Sequence, residues 1–295
     1  MRVLSLFDGI SCAKVALEKA GIPITSYTAY EIDKHAVAIS KKNHPDIIHY
    51  GDVRECKPNE NEYDLVIGGS PCQDLSIAKK GRKGLDGDRS GLFWEWVRVW
   101  KAAKPKWFVL ENVASMPKKD KDIISKELGV EPVMFNASLV SAQSRKRLFW
   151  SNIPFTLPED RGILLKDILE AEVDDKFSAS SGGLGSNTGL YKIGREIGRR
   201  LNADGHRADD DPSLAYQRRI ETREDGKCGT LTSVQKDNLV VGERIRKLTP
   251  IECERLQGLP DNYTEGVAMT HRYKCLGNAF NTDVVSHILS AVIPP

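Results

Sequence analysis

From Arg2 to Ile153 the chain alternates short apolar runs with amphipathic stretches, and few folds accept that rhythm. Apolar runs of strand length, separated by helical segments, belong to parallel strands joined by crossover helices and buried on both faces. "RVLSLF" reads as a strand ended at Asp8-Gly9, and "CAKVALEKAG" as a helix closed by Gly21. "TSYTAYEI" and "KHAVAISKKN" repeat the pair, with Asn43 and Pro45 as the stop. Strands are expected at "IIHYGDV", "YDLVIGG" and, after the helix "SGLFWEWVRVWKAA", at "KWFVLENV". A helix at "ISKEL" and strands at "EPVMFNAS" and "RLFWSNI" follow. The expected class is α/β with a doubly wound, mostly parallel sheet. Beyond Pro154 the texture changes: "FSASSGGLGSNTG" and "NADGHRADDDP" are polar, and only "CGTLTSV" and "NLVVG" look β-like. That region reads as a smaller, loop-rich unit. Helical texture returns at "TPIECERLQGL" and "TDVVSHILSAVI", the latter with apolar residues spaced to face a core.

Open parallel sheets bind ligands in the crevice beyond the carboxyl ends of their strands. Here those ends are "FDG", "YEID", "GDV", "GGSPC" and "ENV", nearly all carrying a carboxylate or a cysteine. Glu31 lies 22 positions after Gly9, where a nucleotide-binding fold places the acid that holds ribose hydroxyls. The loop "DGISCA" lacks G-x-G-x-x-G, so a nucleoside such as S-adenosylmethionine fits better than a dinucleotide. Asp52 is placed to accept from an adenine amino group.

Cys72 has three readings: a buried structural thiol, a hydrolase nucleophile needing a positioned base, or a nucleophile toward an electron-poor ring. No histidine with an orienting third group lies near it in sequence. Downstream, "KKGRKGLDGDR" carries five cations against Asp86 and Asp88, with Gly81, Gly84 and Gly87 giving it mobility to close over a polyanion. Because the formal net charge is only +2, nucleic-acid binding has to come from such local patches. Glu111, ending an apolar strand, needs a partner or a ligand. Arg145 and Arg147, two apart in "QSRKR", are expected on one strand face, near enough to reach a shared anion. The six cysteines form no C-x-x-C and no Cys/His cluster, so no metal is expected. With no run of 18 apolar residues and no leader-like N-terminus, a soluble chain of a reducing compartment is expected.

The ordered blocks "LFDGISCAKVAL", "YEID", "GDVRE", "GGSPCQDLS", "ENV", "QSRKR", "RKLTPIECERLQGLPDNY" and "YKCLGNAF" resemble the cytosine-5 DNA methyltransferases from Leu4 to Phe280. Several blocks look closest to the eukaryotic de novo branch, while the compact chain looks like a bacterial or bacteriophage enzyme. The resemblance implies an S-adenosylmethionine pocket lined by Phe7, Asp8, Gly9, Ile10, Glu31, Ile32, Asp52, Val53, Gly69, Pro71, Leu92, Asn278 and Ala279. It implies that Cys72 attacks carbon 6 of a flipped cytosine, that Glu111 binds its ring nitrogen 3 and amino group, and that Arg145 and Arg147 position base and phosphate. The base that removes the carbon 5 proton is not identified.

Residues 1–153 and 246–295 would form the catalytic domain and 154–245 the target recognition domain. Gln73, Ser76, Lys80, Arg82, Lys83, Arg218, Arg219, Thr230, Leu231 and Lys236 are the implied DNA contacts. The partner is double-stranded DNA, with a cognate restriction endonuclease or none, no membrane and no metal, in the cytoplasm with the nucleoid. Two departures stand out: Ser70 where many bacterial members have Phe, and Phe280 where small or branched residues are commoner. The rivals are a tRNA cytosine-5 methyltransferase, whose Pro-Pro-Cys and Cys-Phe-Thr signatures are absent, a catalytically inactive DNA-binding regulator, and a thiol hydrolase.

Overall fold

The computed structural model describes residues 1–71, 84–87, 90–178, 192–206, 208–232, 238–242 and 245–292, without the side chains of 86, 90, 196–199 and 216–219. Seven strands, β1 (Arg2–Leu6), β2 (Ser26–Tyr30), β3 (Ile48–Tyr50), β4 (Leu65–Gly69), β5 (Trp107–Val113), β6 (Val133–Asn136) and β7 (Lys146–Ser151), form one sheet. Their order is β3-β2-β1-β4-β5-β7-β6. β1 to β5 are parallel, and β7 runs antiparallel to both β5 and β6. The alternation read from the sequence sorts the side chains onto two faces. Leu4, Leu6, Val66, Phe108 and Leu110 face a core with Phe93, Trp96 and Trp150. Val3, Leu65, Ile67 and Val109 face a second core with Leu17, Val285 and Ile288.

The helices are α1 (Cys12–Lys19), α2 (Lys34–Asn43), α3 (Phe93–Ala103), α4 (Lys118–Leu128), α5 (Pro250–Leu256), α6 (Met269–Asn278) and α7 (Thr282–Leu289). Their ends follow local chemistry: Asp33 caps α2 by accepting from the His35 amide, and Thr249 and Glu252 form a reciprocal capping box around Pro250 on α5. α7 packs on α1, where the Lys19 ammonium reaches Asp283 at 2.6 Å and the Thr282 hydroxyl at 3.1 Å.

A second, antiparallel sheet holds β8 (Lys192–Arg200), β9 (Tyr216–Thr222), β10 (Leu239–Val241) and β11 (Ile245–Lys247) in the order β11-β10-β8-β9. Of the two expected β-like runs, "NLVVG" supplies β10. "CGTLTSV" supplies no strand among the described residues, because its backbone docks elsewhere: the Cys228 amide donates to Ala142 and its carbonyl accepts from Ser144. β8 and β9 are absent from the sequence reading, their charged and glycine positions hiding the alternation. α6 is absent as well, lacking a capping side chain and carrying His, Arg and Lys along its length.

Candidate functional site

The strand order reverses between β1 and β4, so the loops leaving their carboxyl ends diverge and open a crevice. Phe7, Gly9 and Ser11 all have positive φ, at 55°, 60° and 61°, and two of them are not glycine. Such a backbone costs energy and persists only where neighbours hold it. The Gly9 amide donates to Glu31 Oε2 at 2.8 Å, the Asp8 amide to the Tyr30 carbonyl, and the Tyr263 hydroxyl to the Ile10 carbonyl at 2.7 Å. The buried Asp8 carboxylate accepts from the hydroxyls of Tyr27 and Ser11, so any ligand contact at Asp8 falls to its backbone. Burial raises the pKa of both Asp8 and Glu31.

Glu31 Oε1 accepts from the amides of Ile32 and Asp33 at 2.8 and 2.7 Å. Three of its roughly four acceptor sites are thus used, which leaves room for a hydroxyl donor. A Cβ at Gly9 or Gly51 would meet nothing within 4 Å, so the crevice is open on both sides of Glu31. Ile32 is 75% exposed and Tyr50 53%, apolar surface at the strand ends that a flat ring could cover. Phe7, Tyr30 and Leu92 pack against the core that holds Val53, and Ile10 is buried in another core. Asn278 is exposed at the end of α6, next to the buried Ala279. An acidic hydroxyl acceptor, open backbone and exposed apolar side chains fit a nucleoside. Asp52 differs from expectation: its carboxylate caps the following turn and holds Arg54 Nε at 3.0 Å from both oxygens, so an adenine amino group has to compete with that guanidinium.

On the other side of the crevice Glu111 has its partner: Arg147 Nε lies 2.8 Å from Oε1, both side chains about 15% exposed. Its second oxygen lies against Gly69, where a Cβ would sit 2.8 Å from Oε2 and 3.2 Å from the Phe280 ring. Any larger residue there would displace the Glu111 carboxylate. The next residue, Asn112, is buried and donates to the Ser70 carbonyl at 3.3 Å and hydroxyl at 3.2 Å. β5 therefore aims a carboxylate and clamps the segment that runs through Pro71 into Cys72. A small cavity lined by Glu111, Arg147, Phe135, Phe149 and Phe280 lies alongside.

Cys72, Gln73, Ser76, Lys80, Arg82, Lys83 and Lys236 lie outside the described residues, as do the side chains of Arg218 and Arg219. The other five cysteines are free and buried. Burial pushes the thiols of Cys12, Cys56, Cys228 and Cys253 up, and that of Cys275 up to about 12. A thiolate nucleophile is not to be found among them. Within the cationic segment, Leu85 is buried in the core and its amide donates to Asp120 on α4.

Arg145 and Arg147 both line the small cavity beside Glu111 but are held by different partners. β7 begins at Lys146, so Arg145 precedes the strand. It is 4% exposed, and its guanidinium donates to the carbonyls of Leu231 at 3.0 Å, Gly277 at 3.1 Å and Ala279 at 3.0 Å. Thr230 and Leu231, expected at the DNA, are docked on the same turn: the Thr230 hydroxyl donates to Ser144, and the Leu231 amide to the buried Gln143. Asn112, Gln143 and Phe280 were not singled out from sequence as site residues. The signal was an amide in an apolar strand and in a basic turn, each too short to report its partner.

The parallel sheet with one antiparallel strand between β5 and β6, opening on a nucleoside-type crevice, is the S-adenosylmethionine-dependent methyltransferase fold. The chain belongs to the C-5 cytosine-specific DNA methylase family, which it matches over residues 1–293, and the family's activity is methyl transfer to cytosine in DNA. It is 28% identical to the Type II methyltransferase M1.ScrFI of Lactococcus lactis subsp. cremoris, covering 99% of this chain and 78% of that one. It is 25% identical to the orphan methyltransferase M.SPRI of Bacillus phage SPR, covering 99% and 97%. Among solved structures, the Entamoeba histolytica methyltransferase EhMeth superposes with a TM-score of 0.69 at 14% identity, covering 99% and 97%. The S. pombe Dnmt2 methyltransferase superposes at 0.66 and 19% identity, covering 98% and 97%, so both share the fold. Among the described residues no helix is long and apolar enough to cross a membrane.

Proposed function

We propose that the chain transfers a methyl group to carbon 5 of a cytosine flipped out of duplex DNA, with Cys72 as the nucleophile. The observation that carries this is the convergence of Glu111, Arg147 and Gly69 at the end of β4, three residues before Cys72. Glu31 holds the ribose hydroxyls of S-adenosylmethionine, Ile32 and Phe7 its adenine, and the Gly9 turn its methionine moiety; when bound, it supplies an electrophilic methyl group. The Cys72 thiolate adds to carbon 6, and Glu111, carrying a proton to ring nitrogen 3 and accepting from the amino group, takes up the charge that develops. After methyl transfer, loss of the carbon 5 proton expels Cys72 and restores the ring.

Arg147 holds Glu111 in place, and Asn112 fixes the backbone on which Cys72 is carried. The chain divides into a catalytic domain of residues 1–153 and 246–295 and a target recognition domain of 154–245, with Arg145 as the stitch between them. Work in the cytoplasm, alone or beside a cognate endonuclease, follows from the same reading. The test is tritiated methyl transfer to duplex DNA and to tRNA, with Cys72→Ala as the control. Label on DNA that the variant abolishes, with a covalent adduct on 5-fluorocytosine DNA, is expected. Label on tRNA alone, or an active Cys72→Ala, would sink the reading.

A further inference from the structure

A chain of hydrogen bonds runs through the interior from the edge strand of the main sheet to the turn after β1. Its members are His49 on β3, Ser40 on α2, Ser11 at the start of α1, and Asp8. Ser40 Oγ lies 3.0 Å from His49 Nε2 and 2.5 Å from Ser11 Oγ, and Ser11 Oγ lies 2.5 Å from Asp8 Oδ2. The Tyr27 hydroxyl closes the far end, donating to Asp8 Oδ1 at 2.7 Å. Both serines are fully buried, so each hydroxyl has to find its partners within the chain.

The direction of the chain follows from its ends. His49 Nδ1 is buried and has no partner among the described residues. A proton there would be a buried donor with nothing to donate to, so the neutral ring carries its proton on Nε2. A serine hydroxyl donates once. His49 therefore donates to Ser40, Ser40 to Ser11 and Ser11 to Asp8, whose carboxylate is the last acceptor. The reverse direction needs a protonated Asp8 and a stranded Nδ1 proton together.

Ser11 shows that the chain takes precedence over local structure. It stands at the N-cap of α1, where a serine ordinarily accepts from the first helical amides, and it makes no such bond. It also holds φ 61°, two residues after Gly9 at 60°. The hydroxyl that would cap the helix fastens Asp8 instead. The turn whose Gly9 amide donates to Glu31 is thus tied through side chains to α2 and β3.

We propose that His49 is a positioning residue for S-adenosylmethionine binding, fixing Asp8, and with it the strained turn that receives the cofactor, through Ser40 and Ser11. The inference rests on the cofactor reading above. The same geometry makes the turn sensitive to acid, because a second proton on the ring can go only to Nδ1, which meets no acceptor. Burial, and after it Lys41 on α2, hold the imidazole below its ordinary 6.5. On β2 the residue in register with His49 is the uncharged Ala29. At the other end burial raises Asp8, against the hydroxyls of Ser11 and Tyr27. With a lowered histidine the chain is complete above the ordinary value and breaks as pH falls through the lowered one.

The test compares the wild type with Ser40→Ala, His49→Ala, the double variant and His49→Gln. S-adenosylmethionine affinity is measured by calorimetry between about pH 5.5 and 8.5, where an imidazole titrates. Melting temperature and amide hydrogen exchange over residues 7–12 of the cofactor-free protein are measured alongside. At about pH 8, Ser40→Ala and His49→Ala should each weaken binding about three- to tenfold and speed that exchange, with the double variant no weaker than the worse single one. His49→Gln keeps an Nε2 donor and cannot take up the proton. It should bind within about twofold of the wild type at about pH 8 and lose the wild type's fall in affinity below about pH 6.5.

Unchanged affinity in His49→Ala, losses that add in the double variant, or an acid fall in His49→Gln equal to that of the wild type overturns the inference. If His49→Ala does not fold, Ser40→Ala and His49→Gln carry the test. A wild type that binds no S-adenosylmethionine fails the cofactor reading instead, and exchange over residues 7–12 then decides whether the chain holds the turn.

Discussion

Replacing Arg145 separates two roles that its place in "QSRKR" leaves entangled. A side chain that touches the substrate is worth little to the folded chain. Arg145 instead donates to the carbonyls of Leu231, Gly277 and Ala279 while only 4% exposed. A hydrogen bond to a charged group contributes about 1.5–3 kcal/mol. Ala279 keeps a second donor, Gln257 Nε2 at 3.3 Å, so Arg145→Met leaves the carbonyls of Leu231 and Gly277 facing an apolar side chain. Two such bonds come to about 3–6 kcal/mol, a large part of the roughly 5–15 kcal/mol that holds a domain together. At about 2–4 °C per kcal/mol for a chain of this size, the melting temperature should fall by about 10 °C. Thermal melts followed by circular dichroism measure the fall, with S-adenosylmethionine affinity and methylation as parallel readouts. Arg145→Met that melts within about 2 °C of the wild type yet loses methylation a hundredfold would refute the stitch and return the guanidinium to the substrate.

Gly69→Ala places a methyl 2.8 Å from Glu111 Oε2, which Arg147 keeps from retreating. Its kcat should fall at least tenfold while the melting temperature moves by only a few degrees, and an unchanged kcat would mean that Glu111 does not work from this position. Iodoacetamide at pH 8 should alkylate the native protein at Cys72 alone, since burial raises the other five thiols. Peptide mass spectra with label at Cys12 or Cys275 before unfolding would contradict that. Arg2 hydrogen-bonds Asp64 at 2.7 Å and holds its carboxyl below the ordinary 3.8. The pair's small, solvent-screened contribution is therefore complete above that value and lost as pH falls through the lowered one. The melting difference between Arg2→Ala and wild type should shrink below pH 4, and a constant difference would place it elsewhere.

The parallel half of the fold was legible because each strand and helix there carries its own period: the faces of β1 and β4 separate in the order that the apolar residues alternate. The crevice was legible because strand ends in such a sheet must meet, whichever residues they carry. β8 and β9 were not legible, since arginine and glycine occupy positions where a buried strand would show valine or isoleucine. The run "CGTLTSV" misled for the opposite reason. It has a strand's composition, and its hydrogen bonds go to residues 142–144, far away in sequence.

Arg145 and Arg147 show where spacing stops being informative. Two residues apart means one face only if both residues lie in the strand, and β7 starts between them, at Lys146. One arginine follows the pleat to Glu111. The other precedes the strand, where the ends of α6 and of the Thr230–Leu231 segment present buried and half-buried carbonyls. A buried carbonyl without a donor costs about as much as a lost hydrogen bond, so the interior claims the guanidinium before a substrate can. The motif therefore joins two tasks in five residues: Arg147 sets the Glu111 carboxylate, and Arg145 with Gln143 fixes the Thr230–Leu231 segment.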